Sequence, residues 1–96
     1  MTAYVISEVQ IVDESSLGRY QSLAETSLAQ YGGRYLARGG TTEVVEGARP
    51  AGQRVIVAEF ASLERAHEWY ASPEYAEALR VREHALDRRV TFVDGL

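Results

Sequence analysis

Between residues 3 and 11 the chain alternates. Ala3, Val5, Ser7, Val9 and Ile11 fall on one face of an extended segment, and Tyr4, Ile6, Glu8 and Gln10 on the other. The spacing predicts a strand whose first face meets a core. The second face, mixing an aromatic, an aliphatic and a carboxylate, suits a cavity wall or a half-wet interface. The period then lengthens. Leu17, Tyr20, Ala24, Leu28 and Tyr31 recur at helical spacing, with Arg19, Glu25 and Gln30 on the opposite side. Asp13 offers an N-cap and Glu14 a first-turn charge. Gly32-Gly33 ends the helix, because glycine accepts a left-handed terminal conformation at little steric cost. The expected helix covers residues 14–31.

Two short β-prone runs, Arg34–Arg38 and Thr41–Glu46, flank Gly39-Gly40 and predict strands joined by a tight turn or bulge. Residues 47–52 are a loop by composition. Arg54–Phe60 predicts another strand, with Val55, Val57 and Glu59 on one face and Ile56, Ala58 and Phe60 on the other. Ser62 caps a short helix that buries Leu63, Ala66 and Tyr70. Ser72-Pro73-Glu74 restarts it with a capping serine, a proline at the first helical position and an acidic first turn. This second piece runs to Leu86, and Arg89–Val93 is the last strand.

The element order is β-α-β-β-α-β, with an extra short strand at the Gly-Gly turn. It predicts an α+β, ferredoxin-like single domain over residues 1–96, an antiparallel sheet with both helices on one face. The other face has no cover of its own, yet it carries Tyr4, Ile6, Val55 and Val57. Such a face is expected to meet a second copy of the chain, giving a homodimer of the dimeric α+β barrel kind with a cavity on each side. Size points the same way, since a chain of 96 residues buries only about 60–65% of its unfolded surface.

Composition narrows the chemistry. The chain has ten arginines, no lysine and no cysteine. Disulfides, thiolate metal sites, thiol nucleophiles and side-chain Schiff bases are therefore excluded. Arginine in place of every lysine points first to a GC-rich bacterial genome. A net charge of −4 argues against a nucleic-acid partner. No apolar run approaches a membrane span and no signal pattern opens the chain, so no membrane partner and a cytoplasmic location are expected.

Within these bounds a few residues stand out. Taking 100° per residue, Tyr75, Leu79, Arg82 and Leu86 fall within about 40° of one another on the last helix. An arginine inside an apolar stripe needs an acceptor. Arg82 either aims its guanidinium at an anionic or carbonyl ligand or pairs structurally with Glu59. Arg38, just before Gly39-Gly40, is expected to join Glu59 and Tyr4 on the open sheet face. There the arginine would polarise a carbonyl and Glu59 would move a proton; otherwise Arg38 is an edge-strand charge that discourages aggregation. Trp69 lies off the stripe of its helix, which suggests an interface or a pocket rim. Tyr70 and Tyr75 belong to the core with hydroxyls at its edge. His67 and His84 have no metal-ligand spacing, so no metal is expected, and only a haem axial role stays formally open. No nucleophile elbow or phosphate loop is present.

Together, Arg38-Gly39-Gly40, Glu46-Gly47, Glu59-Phe60, Ser72-Pro73-Glu74-Tyr75 and Arg82 resemble the pattern of domain of unknown function 1330. The resemblance covers essentially the whole chain and departs from the pattern in the small residues of 47–53. It implies a dimeric α+β barrel of the ferredoxin-like group, which includes cofactor-free quinol monooxygenases, muconolactone isomerases, polyketide cyclases and haem-dependent chlorite dismutases. Two expectations follow. One is a protein that holds a small oxygenated organic molecule in the barrel cavity, as a cofactor-independent isomerase, cyclase or monooxygenase. In it Arg38 and Glu59 are catalytic, and Tyr4, Trp69, Tyr75 and Arg82 bind the ligand, with no cofactor. The other is a non-catalytic binding or stress-associated dimer with a structural Arg82–Glu59 pair.

Overall fold

The strand-like alternation of the first residues becomes β1 (Ala3–Ile11), which the chain leaves through Asp13 into α1 (Glu14–Gln30). The Asp13 carboxylate accepts the Ser15 N–H at 3.0 Å and the Ser15 and Ser16 hydroxyls at 2.7 and 3.1 Å. Those bonds, the Ser15 side chain's foremost, hold it below the usual carboxylate range. After α1 come β2 (Arg34–Arg38), β3 (Arg54–Phe60), α2 (Leu63–Tyr70), α3 (Pro73–Ala85) and β4 (Leu86–Asp94). The computed structural model describes all of residues 1–96. Ser62 and Ser72 cap α2 and α3, accepting the N–H of Arg65 and of Tyr75 at 3.1 Å each, and Pro73 opens α3.

The four strands form one sheet in the order β2-β3-β1-β4, with every neighbouring pair antiparallel. This is the ferredoxin-like arrangement expected from the element order. Ala3, Val5, Ser7 and Val9 of β1 are buried against the helices, as are Ala58 and Phe60 of β3. Tyr4, Ile6, Val55, Val57 and Glu59 face the other way, as their register on β1 and β3 requires. The core lies between sheet and helices, built from Val5, Val9, Leu28, Phe60, Trp69 and Tyr75 among others. The molecule measures 34 × 32 × 17 Å, a slab one sheet and one helix layer thick, and the far sheet face is bare.

Three details differ from expectation. Residues 41–46 do not form a strand; the chain from Gly39 to Gln53 runs as an exposed loop. The reason lies in the pattern, since the apolar residues there, Val44 and Val45, are adjacent and cannot share one strand face. Val45 is 93% exposed. Next, β4 starts at Leu86, three residues earlier than Arg89. Leu86 is already extended at φ −137°, ψ 151°, and the Ala85 carbonyl accepts the N–H of Val12 and Asp13 at 2.8 and 3.1 Å, so helix passes to strand without a loop. Lastly, β2 carries a bulge at Leu36. Arg34 and Tyr35 pair with Glu59 and Ala58, but Ala37 and Arg38 pair with Val57 and Ile56. An extra residue reverses which face the following side chains occupy.

Gly33 shows why the α1–β2 junction is glycine-rich. Gly32 takes a positive φ of 78°, closing the helix. At Gly33 an added Cβ would lie 2.7 Å from the Phe60 ring and 2.9 Å from Leu28, so the lack of a side chain is what lets β2 pack onto the core.

Candidate functional site

The largest concavity, about 460 Å³, is a polar cleft between the loop at 48–53 and Glu8, Gln10, Asp87 and Arg89 on the bare sheet face. It is open and has one apolar residue in its wall, as a solvated surface groove does. A more selective site lies on the other side of the sheet. Two adjoining lobes of about 50 and 80 Å³ sit beneath α1 and share Val9, Tyr20, Gln21, Arg38, Ile56 and Leu86. The inner lobe is mostly apolar and reaches Trp69 and Arg88; the outer one reaches Gly39 and Arg54. An enclosed, largely apolar pocket with a few convergent polar groups is the usual form of a small-molecule site.

Its polar wall, Tyr20 and Arg88, is tied to Tyr75 in a three-membered cluster. The Arg88 guanidinium donates from Nη1 to the Tyr20 hydroxyl at 2.7 Å and from Nη2 to the Tyr75 hydroxyl at 2.5 Å. The two hydroxyls lie 2.9 Å apart. Tyr20 comes from the apolar stripe of α1, Tyr75 from the first turn of α3 held by the Ser72 cap, and Arg88 from the helix-side face of β4. Tyr20 is 8% and Tyr75 0% exposed. Burial, then the neighbouring Tyr75, pushes the Tyr20 phenol well above its ordinary range despite Arg88. For Arg88, burial pulls down on the charged form, but the two tyrosine oxygens more than offset it and its pKa rises. Burial also raises the Tyr35 phenol, which stacks under Arg38 at 4.7 Å from guanidinium carbon to ring centroid.

The Trp69 ring closes the inner end. It packs on Tyr75 and Phe60 with ring centroids 4.2 and 5.3 Å apart, and its Nε1–H donates to Ser27 Oγ at 3.1 Å. At the mouth Arg38 is half-exposed, with Nη1 3.4 Å from Glu25 Oε2. The cluster can donate hydrogen bonds and positive charge to an oxygen atom in the cavity. Among the side chains lining the two lobes there is no carboxylate or imidazole.

The sequence-derived site residues are thus divided between two faces. Arg38 and Trp69 line the cavity, and Tyr75 stands behind it, joined to Tyr20 and Arg88. Trp69 is 4% exposed, hence a cavity wall and not a rim, because Ala66 and Trp69 share the buried side of α2 while Tyr70 is 37% exposed. Glu59 and Tyr4 are cross-strand neighbours on the bare face, so the expected Arg38–Glu59–Tyr4 cluster does not form. The bulge at Leu36 is the cause: it turns Arg38 to the helix side and leaves Arg34 beside Glu59, with Arg34 Nε donating to the Glu59 carboxylate. The expected Arg82–Glu59 pair does not form either, since Arg82 stands on α3 in the helix layer and the sheet lies between them. Arg82 is half-buried and its Nε is enclosed without a partner, but it lines neither lobe.

Sequence reasoning missed Tyr20, Arg88, Gln21 and Tyr35. Tyr20 was legible only as a core position, and its hydroxyl carries no periodic signal. Arg88 could have been found by extending the alternation of β4 back from Phe92 through Val90.

Solved structures with the same architecture bear this fold out. A Rhodopseudomonas palustris protein of unknown function superposes with a TM-score of 0.81 at 19% identity, over 99% of this chain and 82% of that one. A dimeric, ferredoxin-like protein of unknown function from Bacteroides fragilis gives 0.65 at 12% identity, over 98% and 96% of the two chains. SnoaB, a cofactor-independent oxygenase from Streptomyces nogalater, gives 0.63 at 7% identity, over 99% and 93%. No curated protein matches the chain. The chain belongs to the family described as Domain of unknown function (DUF1330), which it matches over residues 2–96.

Proposed function

We propose that residues 1–96 act as one ferredoxin-like domain that pairs with a second copy through the bare sheet face and binds a small oxygenated organic molecule in the cavity beneath α1. The observation that carries the reading is the Tyr20–Tyr75–Arg88 cluster set into an otherwise apolar pocket. A buried polar group is costly unless it has work for its hydrogen bonds; Tyr20 and Arg88 reach the inner lobe, where a ligand oxygen would lie, and Tyr75 backs them. Arg38 at the mouth and Trp69 at the inner end complete the pocket. Glu59 and Tyr4 belong instead to the face that the second copy covers.

Binding is favoured over turnover because the lobes contain donors and positive charge but no general base. The enzymatic version, a cofactor-independent isomerase, cyclase or monooxygenase, draws support from the fold shared with SnoaB. A thermal-shift screen against small carboxylates, phenols and lactones tests the reading. At least one compound is expected to raise the midpoint in the wild type and lose its effect in Arg38→Ala. If none raises it, or if Arg38→Ala responds like the wild type to every compound that does, the cavity is not the binding site.

A further inference from the structure

The cluster contains one more hydroxyl proton than it can use. Arg88 donates to both phenol oxygens, so each hydroxyl already accepts. The single contact between the two hydroxyls, 2.9 Å long, consumes one O–H. The second O–H has no acceptor in the protein. Placement decides which tyrosine keeps it. Tyr75 is fully enclosed, packed against Trp69 and Tyr70 with ring centroids 4.2 and 5.5 Å away, and lines neither lobe. Tyr20 lines both. With Tyr75 donating to Tyr20, Tyr20 accepts twice and its own O–H is directed into the cavity.

The charge lining the two lobes has one sign, with the Glu25 carboxylate outside them, 3.4 Å from Arg38 Nη1. Arg38, Arg54 and Arg88 line the two lobes and no carboxylate does, although the chain as a whole carries −4. The remaining wall is mostly apolar, with Val5, Leu28, Ala58 and Trp69 at the inner end beside Ser7, and Gln21 in both lobes. Lobes of about 50 and 80 Å³ exceed the roughly 10–15 Å³ that one enclosed water needs, which leaves room for a small organic molecule.

Resting on the binding reading above, we propose that the ligand is a small monocarboxylate with a compact apolar body, its carboxylate accepting the Tyr20 O–H beside Arg38. Tyr20 is then the residue that selects for an acceptor oxygen, and Tyr75 and Arg88 are positioning residues that orient its proton.

The test uses the chain's one tryptophan, Trp69, whose fluorescence reports on the inner lobe. The probes are isobutyrate, isovalerate and cyclohexanecarboxylate, each with its primary amide and its alcohol, titrated into the 96-residue chain at neutral pH. At least one acid is expected to bind about tenfold or more tightly than its amide and alcohol, and Tyr20→Phe to weaken that acid by a similar factor, the effect of one hydrogen bond to a charged group. If amides or alcohols bind as tightly as the acids, the carboxylate inference falls while the cavity reading stands. If none of the nine compounds moves the Trp69 signal, both fall. A folded Tyr20→Phe that keeps the acid affinity also overturns the inference. Should that variant not fold, the wild-type comparison of acid with amide and alcohol decides.

Discussion

Tyr20 gives its ring to the core and its hydroxyl to the cavity, and this double placement has a consequence for pH. Its phenol ionises well above the ordinary value, first because of burial, and Tyr35 is shifted the same way for the same reason. The folded state therefore keeps protons that the unfolded chain releases once pH passes about 10. Where the folded state binds more protons, stability falls as pH rises. The urea midpoint is expected to hold steady up to the ordinary phenol range and then to decline. Tyr20→Phe should flatten that decline in part, with Tyr35 supplying the rest; an unchanged profile would contradict the assignment. Arg88 belongs to the same account. Arg88→Met removes the donor shared by two enclosed hydroxyls and should cost about 1–3 kcal/mol in urea unfolding.

At the scale of elements, caps and close approaches decide where each piece begins. The carboxylate of Asp13 is held below its ordinary value, chiefly by the Ser15 side chain, so its capping of α1 contributes above the ordinary carboxylate range. That contribution declines as pH falls below the ordinary range and is lost as pH falls through the depressed folded value. Asp13→Ala should accordingly lower the urea midpoint at pH 7 and lower it by less at pH 3. Gly33→Ala should destabilise by about 1–3 kcal/mol in the same measurement, as overpacking does, because a methyl group would press on Phe60 and Leu28. Much of this layer is visible in the residues themselves. Asp13, Ser62 and Ser72-Pro73 mark helix starts through chemistry local to a few positions, and the alternation of β1 and β3 fixes their faces. The cavity is far less visible. Its cluster joins α1, α3 and β4, residues up to 68 positions apart, and no local pattern encodes that meeting. Arg38 is the instructive case: simple alternation from Arg34 puts it on the face that carries Glu59, and only the bulge, a feature of strand pairing, puts it on the helix side.

For the molecule as a whole, the slab shape is the governing fact. A face of 34 × 32 Å that carries Tyr4, Ile6, Val55, Val57 and Val93 is large enough for the roughly 800 Å² per partner of a stable interface. Sedimentation equilibrium is expected to give twice the chain mass of 10.6 kDa. Ile6→Glu, whose neighbours are Val57 and Thr91, should shift the protein to the monomer with its helical circular dichroism retained. A monomeric wild type would sink the pairing. Since the cavity is on the opposite side of the sheet, a monomeric Ile6→Glu should still bind whatever the wild type binds.

The bulge at Leu36 also bears on how relatives of this chain are compared. An arginine two positions before Gly40 has a different address depending on whether the strand before it is bulged. With the bulge at Leu36 it lies on the helix side; in a relative with the same number of residues but regular pairing from the equivalent of Arg34, the same arginine would be turned to the bare face. Matching the letter in an alignment is then insufficient to transfer its role. What must be matched is parity along the strand, counted from Glu59 and Ile56 on the neighbouring one.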